Sequence, residues 1–210
     1  MRFSVESNLN QLTKRLTRIQ KEQVPFATSM ALNNVAADVA NAITVQMDRY
    51  LDNPTPFTKR AYQSRPGTFR TESGARATKK KLFVDIIPGK VQAEYLKWQI
   101  EGGVRTPNQR AIFVPSRVAP KNKFGNLTRG NRKRFIAGQG QYFSAGDRED
   151  KTPGVYKREP SGRIQPMAFY VERANYKAIF PIHKIAGGVV KNRFGLRFDQ
   201  ALKRALATAR

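Results

Sequence analysis

The chain has 210 residues, enough for one domain with a real core and room for a second small one, and its 40% hydrophobic content, with thirteen Phe and seven Tyr, argues against wholesale disorder. Thirty-nine Lys and Arg stand against fifteen Asp and Glu, a formal net charge of +24 that says little about fold but calls for a polyanionic partner or an acidic neighbour. The absence of cysteine and the presence of one histidine, His183, exclude disulfides, thiolate zinc sites, cysteine nucleophiles and multi-histidine metal clusters within one chain.

The opening "MRFSVESNLNQL" lacks the uninterrupted apolar core of a signal peptide. Leu9, Leu12, Leu16 and Ile19 then recur at helical spacing, with Lys14, Arg15, Arg18 and Lys21 on the other faces. That pattern predicts a short amphipathic helix capped by Ser7 or Asn8. Pro25 suits the first turn of a second, longer helix running to about Leu51. Its apolar positions (Phe26, Met30, Val35, Val39, Ile43, Met47, Tyr50) move around the cylinder, as burial on more than one side requires. Residues 24–47 form the most membrane-like window, but Asp38, Asn33, Asn34, Asn41 and Gln46 would be costly in lipid, so the window reads as a helix packed on protein. "DNPTPF" (52–57) stops it, and Thr55 before Pro56 caps one further helical turn.

Residues 64–81 are polar, basic and broken by glycine, which predicts a loop. "KLFVDIIP" (81–88) reads as a strand with Leu82, Val84 and Ile86 on one face and Phe83, Asp85 and Ile87 on the other. Residues 93–103 predict a short helix ended by Gly102 in a left-handed conformation, with Tyr95 and Trp98 on neighbouring turns as core or oligomer-interface aromatics. "AIFVP" (111–115) is a further strand.

From Pro115 to Gln165 the chain holds twelve Lys and Arg against four acids, and glycine or proline interrupts it every few residues. It reads as a long basic extended arm with one short helix around 128–136 and a strand near 141–143. Within it, "RGNRKR" (129–134) concentrates Arg129, Arg132, Lys133 and Arg134. With Lys121 and Lys123 these are the expected contacts to phosphate or to an acidic protein surface, and Lys14, Arg15 and Arg18 are second choices. Phe124, Phe135, Tyr142 and Phe143 supply rings to stack on bases; Phe135, Tyr142 and Phe143 join Tyr95 and Trp98 as expected oligomer-interface residues. Ordering such an arm costs on the order of 1–2 kcal/mol per residue of backbone, which contacts from a neighbouring subunit would offset, and a head-to-tail ring supplies that neighbour. The competing reading is a solvated charge run. Asp147, Glu149 and Asp150 alternate with Arg148 and Lys151, so they read as a self-paired turn rather than a cation site.

"PMAFYVER" (166–173) predicts a strand, and "KAIFPI" (177–182) its antiparallel neighbour across a turn at Ala174–Tyr176. The last element is helical, with Ile185, Val189, Phe194, Phe198, Leu202, Leu206 and Ala209 in rhythm and Gly187, Gly188 and Gly195 weakening it. His183 reads as a packing or hydrogen-bonding residue, and no GxSxG-type turn accompanies it. No catalytic residue, metal site or cofactor is expected. The order of elements implies one α+β domain over residues 1–210, two or more helices packed on one face of a small mixed sheet, with the basic arm at about 115–165.

Three stretches carry a family resemblance. "NLNQLTKRLTRIQKEQVPFATSMALNNVAADV", with its leucine-spaced basic helix, "VPFA" junction and "ALN.VA", resembles the start of minor tail protein Z-like tail-completion proteins of tailed bacteriophages. "EYLKWQIEGG" resembles the tyrosine-aromatic-glycine segment of the related neck and tail-completion superfamily, and "FPIHKIAGGVVKNRFGLRFDQALKRALATAR" resembles that group's closing strand and helix. Together they cover residues 5–55, 93–103 and 166–210, about half the chain.

The resemblance implies a structural, non-enzymatic virion protein of the neck or tail, assembled in the host cytoplasm as a homo-oligomeric ring around the DNA path. Its implied neighbours are portal or connector proteins, tail-tube or other tail proteins, and passing double-stranded DNA, with no membrane. The alternative is a basic nucleic-acid-binding protein acting on phage DNA, and a nuclease comes third.

Overall fold

A computed structural model of the chain describes residues 3–6, 18–72, 74–107, 111–146 and 152–208. In chain order the elements are β1 (Phe3–Glu6), α1 (Arg18–Tyr50), α2 (Pro56–Lys59), β2 (Phe83–Ile86), α3 (Lys90–Ile100), β3 (Gly103–Arg105) and β4 (Ile112–Pro115). They continue with α4 (Arg129–Ile136), β5 (Tyr142–Ala145), β6 (Gly154–Arg158), β7 (Ile164–Val171), β8 (Ala174–Tyr176) and α5 (Ile182–Ala207). The fold is α+β. Two compact units divide the chain: a helical unit, Met1–Glu101 with Ala178–Arg210, and a sheet unit, Gly102–Lys177.

In the helical unit α1 and α5 pack together. Val35, Val39, Ile43 and Met47 recur every fourth residue of α1 and are fully or almost fully buried with Leu32, Tyr62, Ile86, Leu96, Phe180 and Ile182. A second cluster is built from small residues: Ala27 and Ala31 of α1 meet Ala201 and Ala205 of α5, flanked by Phe26, Met30, Phe194 and Phe198. Alanine on both sides lets the two backbones approach, and the aromatic rings close the edges. Burial of α1 on more than one side follows from these two clusters. Asn33, one of the polar residues that argue against a membrane span, holds the 64–81 loop: its side-chain amide donates to the Ala77 carbonyl and accepts from the Ala77 N–H, both at 3.0 Å.

Pro25 does not begin α1 as expected; the helix starts at Arg18 and runs through it. The leucine-spaced segment before Arg18 lies outside the described residues. Thr55 caps α2 as expected, its Oγ1 accepting the Thr58 N–H at 3.1 Å. β2 pairs antiparallel with β1, a partner the sequence reading lacked. Gly102 (φ +72°) follows α3 in the left-handed region, where glycine is the least strained residue.

The expected strand at 177–182 is not one. Ile179 and Phe180 donate their N–H groups to the Gln99 carbonyl, at 2.9 and 2.8 Å, and Ile182 opens α5. The run is apolar because Phe180 and Ile182 enter the core, not because it joins a ladder. Ala174–Tyr176, expected as a turn, is β8 and pairs with β3.

The sheet unit carries a four-stranded sheet in the order β4-β7-β6-β5, and its pairings are antiparallel where a mixed sheet was expected. Short connections between β5, β6 and β7 impose that direction, since a parallel pair needs a crossover of a dozen or more residues. The expected extended arm is therefore a folded element: residues 115–165 contribute α4, β5, β6 and the start of β7. Ala119, Phe135, Val155 and Met167 form its buried cluster, with Phe113, Leu127, Tyr142 and Tyr170 packed against it. Each of these elements supplies only one or two apolar residues, so basic and glycine residues mask the core in the sequence.

Candidate polyanion-binding surface

The "RGNRKR" stretch forms α4, and its boundaries follow from local chemistry. Thr128 is the N-cap, its Oγ1 accepting the Asn131 N–H at 3.2 Å. At the other end the Gln139 N–H reaches the Arg134 carbonyl (3.1 Å) and the Gly138 N–H the Phe135 carbonyl (3.2 Å), while Gly138 takes φ +61°. This six-to-one and five-to-two pair is a Schellman closure, which needs a left-handed residue at Gly138.

Phe135 anchors the helix. It is fully buried, 4.6 Å from the Tyr142 ring centre. The expectation that Phe135 lies at an oligomer interface is thereby corrected: it is core. Arg129, Arg132, Lys133 and Ile136, at i, i+3, i+4 and i+7, share one face of the helix, and all four are exposed. With Ala137 and Gln139 they line an open groove that contains three cations, no acid and no aromatic ring.

That charge pattern does not serve the helix. Arg129 occupies the first helical position, where the macrodipole favours an anion, and the first turn holds no acid. Like charges at i,i+3 and i,i+4 cost a further 0.2–0.5 kcal/mol or so per pair. Among the described residues no carboxylate pairs with Arg129, Arg132 or Lys133. The stripe thus opposes its own helix and, among the described residues, has no anionic partner.

The other expected contacts are placed differently. Arg134 turns toward Tyr142, its guanidinium 5.9 Å from the ring centre. Lys121 and Lys123 are exposed in the preceding turn, which Asn122 closes by accepting the Phe124 and Asn126 N–H groups at 3.0 Å. Lys123 lies over Phe124 at 5.2 Å. Phe143 stacks on Tyr156 at 6.1 Å, with Arg158 5.6 Å from its ring. Lys14 and Arg15 lie outside the described residues, and Arg18 opens α1 in the helical unit.

Comparisons of the chain with protein-family models, curated proteins and solved structures found no match.

In the helical unit Tyr95 is half-buried and its hydroxyl lies 3.0 Å from Thr58 Oγ1; burial raises its pKa against the lowering effect of that bond. Trp98 is partly buried, with Lys97 Nζ 4.7 Å from its ring. His183 is exposed in the first turn of α5. Among the described residues no three His, Asp or Glu side chains gather as metal ligands, and Asp147, Glu149 and Asp150 lie outside them. No helix among the described residues is long and apolar enough to cross a membrane.

Sequence reasoning missed two features. Ile136 belongs to the cationic face and follows from the i, i+7 relation to Arg129. A second basic groove runs between α1 and α5, lined by Ala42, Arg49, Lys184, Gly188, Asn192 and Arg193 among others. Its cations come from segments far apart in the chain, so no local pattern signals it.

Proposed function

We propose that this protein is a structural virion component of the phage neck or tail, of the tail-completion type, which assembles with copies of itself as a ring and joins connector to tail proteins. What supports the reading most directly is the α1–α5 pair: the long-helix part of the opening resemblance and the helix of the closing one form a single packed scaffold. The exposed cationic face of α4 fits a role in adhesion, because its lining offers three positive charges beside an exposed isoleucine. In this reading the protein works by burying surface between subunits and by matching its surplus charge to anionic neighbours.

Deleting the gene from the encoding phage tests the proposal. The expected result is filled heads and separate tails in the electron microscope, with joined particles restored by the gene in trans. Normal yields of joined, infectious particles would overturn it. The alternative reading, a nucleic-acid-binding protein acting on phage DNA, draws on the same α4 face and requires tight DNA binding by the purified chain with a steep salt dependence.

A further inference from the structure

We infer that the α4 groove docks an acidic segment of a neighbouring protein that carries an apolar side chain, rather than nucleic acid. The inference rests on the assembly reading above and names the chemistry of the partner. Its apolar element is Ile136, 55% exposed on the same face as Arg129, Arg132 and Lys133 and continuous with exposed Ala137. A phosphate backbone gains from the three cations but leaves Ile136 facing a charged, hydrated ligand. An acidic segment satisfies the cations and also removes the isoleucine from water.

Base stacking has no platform in the groove. Its lining holds no ring; Tyr142, which packs on Phe135, and Phe143, which stacks on Tyr156, line a different pocket with Arg158. What the face presents is three cations beside an apolar spot, the mixture of charge and apolar surface that a protein-docking site uses. The two arginines suit carboxylates because the guanidinium fork binds them two-pronged.

The experiment uses the full chain and three fluorescent probes: a twelve-residue peptide alternating Glu and Leu, the same peptide with Ser for Leu, and a twelve-base-pair duplex. Anisotropy titrations are run at one salt concentration. The Leu peptide is expected to bind about tenfold tighter than the Ser peptide. Ile136→Ser should erase that preference without changing affinity for the Ser peptide, and Ile136→Met should keep it. Arg132→Gln should weaken both peptides. Ile136 is exposed, so these variants keep the fold, and circular dichroism verifies it. Equal binding of the two peptides to the wild-type chain, or duplex binding tighter than both and lowered by Arg132→Gln alone, would overturn the inference. Neither result bears on whether the chain joins heads to tails, which the deletion phenotype reports separately.

Discussion

Arg197 of α5 grips Asp38 of α1 with both prongs: its Nε and Nη2 donate to the two carboxylate oxygens, each at 2.8 Å, across 159 residues of sequence. The side chains are 32% and 24% exposed, so the pair is neither fully screened nor stranded in a dry interior. It joins the same two helices that the alanine cluster brings together. Arg197→Ala and Asp38→Asn are each expected to lower stability by about 1–2 kcal/mol, and the double variant by less than the sum. Urea denaturation of the four proteins in the cycle measures the coupling; strict additivity would mean the pair contributes nothing.

Tyr62 presents the opposite situation. Its hydroxyl is fully buried and lacks a hydrogen-bond partner among the described residues, and burial pushes its pKa well above the ordinary value of 10.0. Removing an unsatisfied buried hydroxyl relieves its desolvation, so Tyr62→Phe should stabilise the protein by about 1 kcal/mol, or roughly 2–4 °C in Tm. The sign of the pH effect follows from linkage. The folded state holds the phenolic proton more tightly than the unfolded chain, so this contribution is fully present below pH 10 and is lost as pH rises above it. The advantage of Tyr62→Phe should therefore widen above pH 10 in parallel thermal melts.

α5 contains Gly187, Gly188 and Gly195, all exposed, and a Cβ added at any of them would meet open space. Glycine in a helix interior costs about 0.5–1 kcal/mol relative to alanine. Each Gly→Ala change is expected to stabilise the protein by that amount, read by calorimetry. Gly187 and Gly195 do not line the second basic groove whereas Gly188 does, so comparing the three variants separates helix stability from any use of that surface.

On α4 the charge and the helix can be set against each other. Arg129→Glu should strengthen the helix through the macrodipole and yet weaken binding to heparin, a generic polyanion. Thr128→Ala should weaken both, costing about 1 kcal/mol of cap energy. Helicity by circular dichroism and elution salt from a heparin column distinguish the two outcomes.

Much of the fold is visible in the residue pattern where each element carries its own signal. The long helix from the twenties to Tyr50, the Thr55 cap, α3 with its Gly102 stop, α4 and α5 all rest on local periodicity or capping. The sheet unit does not. β6 contributes one fully buried side chain, Val155, to its core and α4 one, Phe135, and only the tertiary fold brings them together. β1, β3 and β8 are three or four residues long and acquire meaning only from their partners. The candidate site was legible as charge but not as shape. "RGNRKR" announces itself, whereas the direction of Arg134 toward Tyr142 and the place of Ile136 among the cations depend on how Phe135 anchors the helix.

The most direct test of the structural role is quantitative mass spectrometry of gradient-purified particles from the encoding phage. The expected result is a fixed, ring-sized number of copies per particle, retained after high-salt washing and nuclease treatment. Finding the chain only in the soluble lysate, or released with the DNA, would contradict it.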